Sequence, residues 1–197
     1  MEDWVYRALE KWPNVPALFG WLGLDRRGRW TIRGELISRP QIIDTINPNY
    51  AADEHGRWFF QNGPQRGYVT LESAPLVLHS DGCGRLLTHT GLAVDTAEAA
   101  WLDENGALWL RTAHGPAVLE GEDLYWLLEH LRGPQTPVDE DLLAETLALP
   151  SGSRTMLSLR LGATTLPLGR LDFDAAPKVL GFVREPQPRD AEAGAAG

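Results

Sequence analysis

The sequence predicts an α+β protein built as two duplicated small antiparallel-sheet units, each a hairpin, a helix and a second hairpin. Two observations carry this expectation. First, Asp-x-x-Gly followed by an apolar residue recurs four times, at Asp25–Gly28, Asp53–Gly56, Asp81–Gly84 and Asp103–Gly106. Asp starts a turn by accepting backbone N–H bonds, and Gly supplies the positive φ where the chain reverses. Apolar residues resume at once after each Gly, so each instance reads as a hairpin tip. Second, sliding the chain by 78 residues lays Asp25 on Asp103 and brings "GWLGLDRRGRWTIRG" over "EAAWLDENGALWLRT". The flanks then agree as well as the turns.

Each element follows in order. Residues 2–12 show amphipathic helical spacing, with Trp4, Leu9 and Val5 or Ala8 near one face, stopped by Pro13. In the first half a hairpin around Asp25–Gly28 leads to a helix over residues 39–46. A second hairpin follows, with strands 58–62 and 67–72 around Gly63-Pro64-Gln65. Residues 76–79 and 86–89 form a further hairpin on the Asp81 turn. In the second half the helix covers residues 121–131, an extra helix covers 138–149, and the closing hairpin pairs 155–161 with 164–170 across Gly162-Ala163. Leu157, Leu159 and Leu161 alternate with Met156, Ser158 and Arg160, a period of two that marks one buried face. The expected domains are an N-terminal helix at 1–14, repeats at 15–90 and 91–185, and a disordered Pro/Ala/Gly tail at 186–197. Trp4, Trp21, Trp101 and Trp126 sit within apolar patterns and are expected in the core.

Composition narrows the function. The net charge of −9 argues against nucleic acid, since phosphate binding needs a basic face. The one arginine cluster, Arg26, Arg27, Arg29 and Arg33, reads as solvated hairpin charge. No stretch of about 18 apolar residues occurs, so membrane insertion is not expected, and the N-terminus lacks a signal-peptide apolar core. A single cysteine, Cys83, permits no intramolecular disulfide and suits a cytoplasmic location.

The run "DRRGRWTIRGELISRPQIIDTI", with "GRWFFQN" and "YVTLESAPLVL", resembles the bacterial family called domain of unknown function 1285. The matching elements are Gly28 with Trp30, Ile37-Ser38-Arg39-Pro40, Gly56 with Trp58, and Glu72-Ser73-Ala74-Pro75. The chain also looks like a sister group of uncharacterised proteobacterial proteins sharing "WPNVPALFGWLGLD" at the start. The resemblance implies two duplicated small domains, the second pleckstrin-homology-like, and a binding or signalling-accessory role. It brings no catalytic residues.

The stretch "GRWFFQNGPQRGYVTLE" offers the candidate site. Asn62-Gly63 and Gly63-Pro64 are turn signals first. Secondly, Asn62, Gln65 and Arg66 gather polar groups at one hairpin end, with Trp58 as a stacking wall and Arg66 as a planar donor fork for a carboxylate or phosphate. With His89, near the link between halves, they are expected to line an inter-domain groove for a small anionic or protein ligand. The competing class is a thiol-dependent hydrolase using Cys83 with His79 or His89 as base. His-x3-Cys-x5-His matches no zinc spacing, so neither metal nor cofactor is expected.

Overall fold

The computed structural model describes Asp3, Arg7 and residues 17–134 and 138–189. The expected N-terminal helix lies outside the described residues except for Asp3 and Arg7, both helical, and so does the tail from residue 190. The chain divides into two compact units, residues 1–75 with 182–197, and residues 76–181. The sequence placed a division near residue 90, whereas here the hairpin from Leu76 belongs to the second unit and the chain returns to the first at Phe182.

All four Asp-x-x-Gly tips form, and with one geometry. Each Asp Oδ1 accepts the N–H groups two and four residues on, at 2.8–3.1 Å. The glycines adopt φ of 73–89°, which an L side chain resists. The second carboxylate oxygen is also used. It accepts the Nε of the following Arg at 2.7 Å in Arg29, Arg57 and Arg85, and the Trp109 indole N–H at 2.9 Å in the fourth.

The first unit holds a six-stranded sheet. Its strands are β1 (Leu18–Leu24), β2 (Trp30–Ile32), β3 (Glu35–Leu36), β4 (Tyr50–Ala52), β5 (Trp58–Asn62) and β6 (Gln65–Leu71), in the order β3-β2-β1-β6-β5-β4. Helix α1 (Pro40–Ile46) joins the halves of this sheet. Pro40 fits the first helical turn because its missing N–H is one the helix leaves unbonded anyway.

The second unit holds a nine-stranded sheet. It contains β7 (Leu76–Ser80), β8 (Leu86–Thr88), β9 (Ala93–Val94), β10 (Ala99–Leu102), β11 (Leu108–Thr112), β12 (Gly115–Leu119), β13 (Leu131–Arg132), β14 (Arg154–Leu161) and β15 (Thr164–Arg170). The order is β13-β14-β15-β10-β11-β12-β7-β8-β9. Helices α2 (Leu124–His130), α3 (Glu140–Ala148) and α4 (Ala176–Leu180) complete it. Asp139 caps α3 by accepting the Leu142 N–H at 2.8 Å.

The expectation of antiparallel sheets needs correcting. Both sheets are mixed: β1 runs parallel to β6, β10 parallel to β15, and β7 parallel to β12. The physical reason lies in the crossover. After the first hairpin the chain passes through a helix, and the last strand of the next hairpin returns beside the first strand in the same direction, which takes a long connection. Burial follows the alternation read from the sequence. Leu157, Leu159 and Leu161 are buried and Met156 is exposed, while Trp58, Phe59 and Gln61 are buried on alternate faces of β5.

Candidate functional site

Helix α1 has only seven residues, too few to cover a six-stranded sheet. Its C-terminal end packs over an aromatic cluster. Trp30 donates its indole N–H to Asn47 Oδ1 at 2.9 Å, and the Tyr50 ring lies 4.9 Å from Trp30 and 4.8 Å from Trp58. The Tyr50 hydroxyl donates to the Pro75 carbonyl at 3.0 Å, and burial raises its pKa well above the usual phenol value.

Beside the helix the same face stays open as an apolar groove of about 190 Å³. Ile42 and Ile46 line it from α1, Leu18 from β1 and Phe60 from β5, with Gly67 on the wall. Asn62 and Gln65, directly paired across the β5–β6 hairpin, stand at its polar end. Trp21 closes one side and is 47% exposed, with Ile32 and Ile42 also open to solvent. The core placement expected for Trp21 is therefore corrected: it lies at a groove mouth because α1 stops short of it. Trp126 is buried as expected, Trp101 is half-buried, and Trp4 lies outside the described residues.

The five candidate binding residues separate. Asn62 and Gln65 line the groove. Trp58 is core, 6% exposed. Arg66 stands on the other face, its guanidinium 3.9 Å from the Phe59 ring centre and its Nε donating to Gln61 Oε1 at 3.2 Å. Gln61 is fully buried, and its amide donates to the carbonyls of Gly63 and Gln65, which locks the turn. His89 belongs to the second unit.

His89 is half-buried, and its Nδ1 accepts the Val77 N–H at 3.3 Å. Burial, with a smaller repulsion from His79, pushes its pKa down to about 3. A folded pKa below the unfolded value of 6.5 means stability is complete above pH 6.5 and falls as acid charges the unfolded state first. The expected loss is about 1.4 kcal/mol per pH unit from pH 6 to 4. Asp53 titrates lower. Its burial raises the pKa, but hydrogen bonds from Arg57 and His55 bring it below the usual 3.8, so it acts only under that window. Urea unfolding at about pH 7, 6, 5 and 4 should show this slope in the wild type and not in His89→Gln. Equal slopes in both proteins would remove the buried-histidine account.

The thiol alternative rests on Cys83, which is exposed on the Asp81 tip, its N–H donated to Asp81 Oδ1. His79 Nδ1 lies 3.4 Å from Asp123 Oδ2, and Asp123 Oδ1 accepts the Ser80 N–H. The register sets His79 opposite Leu87, and the His89 N–H bonds to Val77, so the two histidines are diagonal rather than facing. Among the described residues no group of three or more His, Cys, Asp or Glu is placed to hold a metal. Among the described residues no helix is long and apolar enough to cross a membrane.

Comparison with known families settles the lineage. The family described as "Protein of unknown function (DUF2946)", DUF2944, matches residues 1–187. The chain belongs to this family. Among curated proteins none matches the sequence. A DUF1285 family protein from Silicibacter pomeroyi DSS-3 has a similar structure, with a TM-score of 0.52 and 16% identity over 82% of this chain and 86% of that one. A second, from Shewanella baltica OS155, gives a TM-score of 0.40 and 17% identity over 57% of this chain and 90% of that one. At such identities the first likeness concerns the fold alone. The DUF2944 chain thus shares a fold with the family its "GRW" and "SRP" motifs resemble.

Proposed function

We propose that this DUF2944 protein is a cytoplasmic binding module whose first unit seats an apolar side chain of a protein partner in the groove beside α1. The carrying observation is the groove itself: aliphatic walls, an exposed Trp21 at the mouth, and the Asn62–Gln65 pair at one end to meet a polar group. Sites of this kind are apolar with a few placed polar groups. Exposed aromatic and aliphatic residues that cluster mark interaction surfaces.

The same reading includes duplication. It is supported by the matching orders β3-β2-β1-β6-β5-β4 and β12-β11-β10-β15-β14-β13, each with a parallel central pair. Gly23↔Thr31 and Trp101↔Trp109 are also paired at the same offset of 78 residues. A pleckstrin-homology-like second unit belongs to this reading too, supported by the antiparallel pairs that predominate in its mixed sheet and by α4 after the last strand.

Gly67 offers the test. It lines the groove, and a Cβ there meets nothing closer than the Phe60 carbonyl at 3.9 Å. Gly67→Val fills the groove and favours the strand. The probe is anilinonaphthalene sulfonate, an apolar fluorophore. Gly67→Val should weaken its binding about tenfold, a difference of about 1.4 kcal/mol, with the unfolding midpoint unchanged or raised. Undiminished fluorescence in a folded Gly67→Val protein would rule out the groove as the site.

A further inference from the structure

The opposite face of the first sheet carries a second cavity of about 260 Å³ with a different chemistry. Its floor is a row across three strands, Thr31, Gly23 and Thr70, set side by side by the β2–β1–β6 register. A Cβ added at Gly23 would lie 2.6 Å from Thr31 Oγ1 and would displace that hydroxyl from the cavity floor. Both threonines are half-buried, and among the described residues neither hydroxyl has a hydrogen-bond partner. Glu72 stands at one end, its Oε2 fixed by the Arg26 N–H at 3.2 Å.

Arg33 stands on another side of the cavity. It occupies the first position of the two-residue Arg33-Gly34 loop that closes the Ile32–Glu35 pair, with φ of 51° followed by 83°. Two successive positive φ values call for Asn, Asp or Gly at the first position, so Arg holds a strained backbone there. Its N–H donates to the Trp21 carbonyl at 2.8 Å, and its guanidinium lies 3.7 Å over the Trp21 ring. Among the described residues it has no carboxylate partner. Non-glycine residues held at positive φ cluster at ligand sites.

We propose that this cavity binds a small carboxylate carrying a hydroxyl or ammonium group on the neighbouring carbon. The carboxylate pairs with Arg33, whose planar fork suits it. The neighbouring donor is taken by Glu72 and the threonine hydroxyls. Glu72 repels an anion that brings no donor, so a simple carboxylate binds more weakly than one with the second group. The site is independent of the apolar groove, since only Trp21 and Leu22 line both cavities.

The test uses the full chain and saturation-transfer NMR with lactate, L-serine, acetate and inorganic phosphate as probes. Lactate and L-serine should bind in the millimolar range, and acetate and phosphate about tenfold more weakly. Arg33→Asn should abolish binding without lowering the melting temperature, because Asn tolerates positive φ better than Arg. Thr70→Val, close in shape, should bring lactate down to the level of acetate. Absence of lactate and serine binding to the wild type would overturn the proposal, as would equal binding of acetate or full binding by Arg33→Asn. The Gly67→Val protein should bind lactate normally, which separates failure of this site from failure of the groove.

Discussion

Trp109→Ala should destabilise the second unit by about 3–5 kcal/mol, as large-to-small changes at a buried Trp do. The indole is fully buried, its ring centre 5.9 Å from that of Phe173 in an edge-on arrangement. Its N–H donates to Asp103 Oδ2 at 2.9 Å, and Asp103 is itself 1% exposed. Truncation therefore opens a cavity and also strips a donor from a buried carboxylate, which adds to the cost. Trp109→Phe separates the two effects. It retains most of the volume and loses the donor, so about 1.5–3 kcal/mol of the loss should remain. Guanidinium unfolding followed by circular dichroism reads both. An alanine variant within about 1 kcal/mol of the wild type would show that the indole is not core.

Arg57→Met should cost the first unit about 3–5 kcal/mol, the range for breaking one side of a buried ion pair. Arg57 is 6% exposed and uses its whole guanidinium. Nε donates to Asp53 Oδ2 at 2.7 Å, one terminal nitrogen to the Tyr68 hydroxyl at 2.9 Å, and the other to the Gln187 carbonyl at 3.1 Å. The Tyr68 hydroxyl in turn donates to Asp53 at 3.1 Å, and Phe19 stacks on the Tyr68 ring at 4.5 Å. Removing the cation leaves a buried carboxylate. Asp53→Asn keeps the acceptor that organises the turn but removes the charge. The double variant Asp53→Asn, Arg57→Met should therefore lose clearly less than the two single losses added together. Additive losses in a double-mutant cycle would mean that the pair is not coupled.

The same Asp53–Arg57 pair shows how far the sequence could be read. Asp-x-x-Gly marked all four tips because a turn is a local event, decided by a carboxylate and a glycine three residues apart. The arginine or indole on the second oxygen repeats too, yet its meaning needs the tip geometry first. The eight-residue strand Arg154–Leu161 displayed a clear period of two. The two- and three-residue strands Tyr50–Ala52 and Leu131–Arg132 did not, since so short a segment contains no period. Parallel pairing of β1 with β6 joins residues such as Leu22 and Val69 that are remote in the chain, and no local preference encodes it.

The site was less legible for a related reason. Asn62 and Gln65 reach the groove because the hairpin loop is only Gly63-Pro64, whereas the turn signals in the sequence predict a turn that includes Gln65 and a strand starting at Gly67. Arg66 follows Gln65 and so must point the opposite way, onto Phe59. Trp21 looks like a core residue by pattern alone. Its exposure depends on where α1 ends, a fact about its neighbours rather than about its own position.

The return of the chain to its first unit at Phe182 has a consequence for biosynthesis. Leu71 donates its N–H to the Arg184 carbonyl, Val183 donates to Gly56, and Arg57 reaches Gln187. Those partners leave the ribosome only after the whole of residues 76–181 has been made. The nascent first unit must therefore wait with the Leu71 N–H, the Gly56 carbonyl and one terminal nitrogen of Arg57 lacking these partners, although domains ordinarily mature from the N-terminus onward. The inserted unit, whose residues are contiguous, can fold while that wait lasts. Residues 182–187 then act as a clasp, closing a unit whose other residues precede 76–181 in the chain.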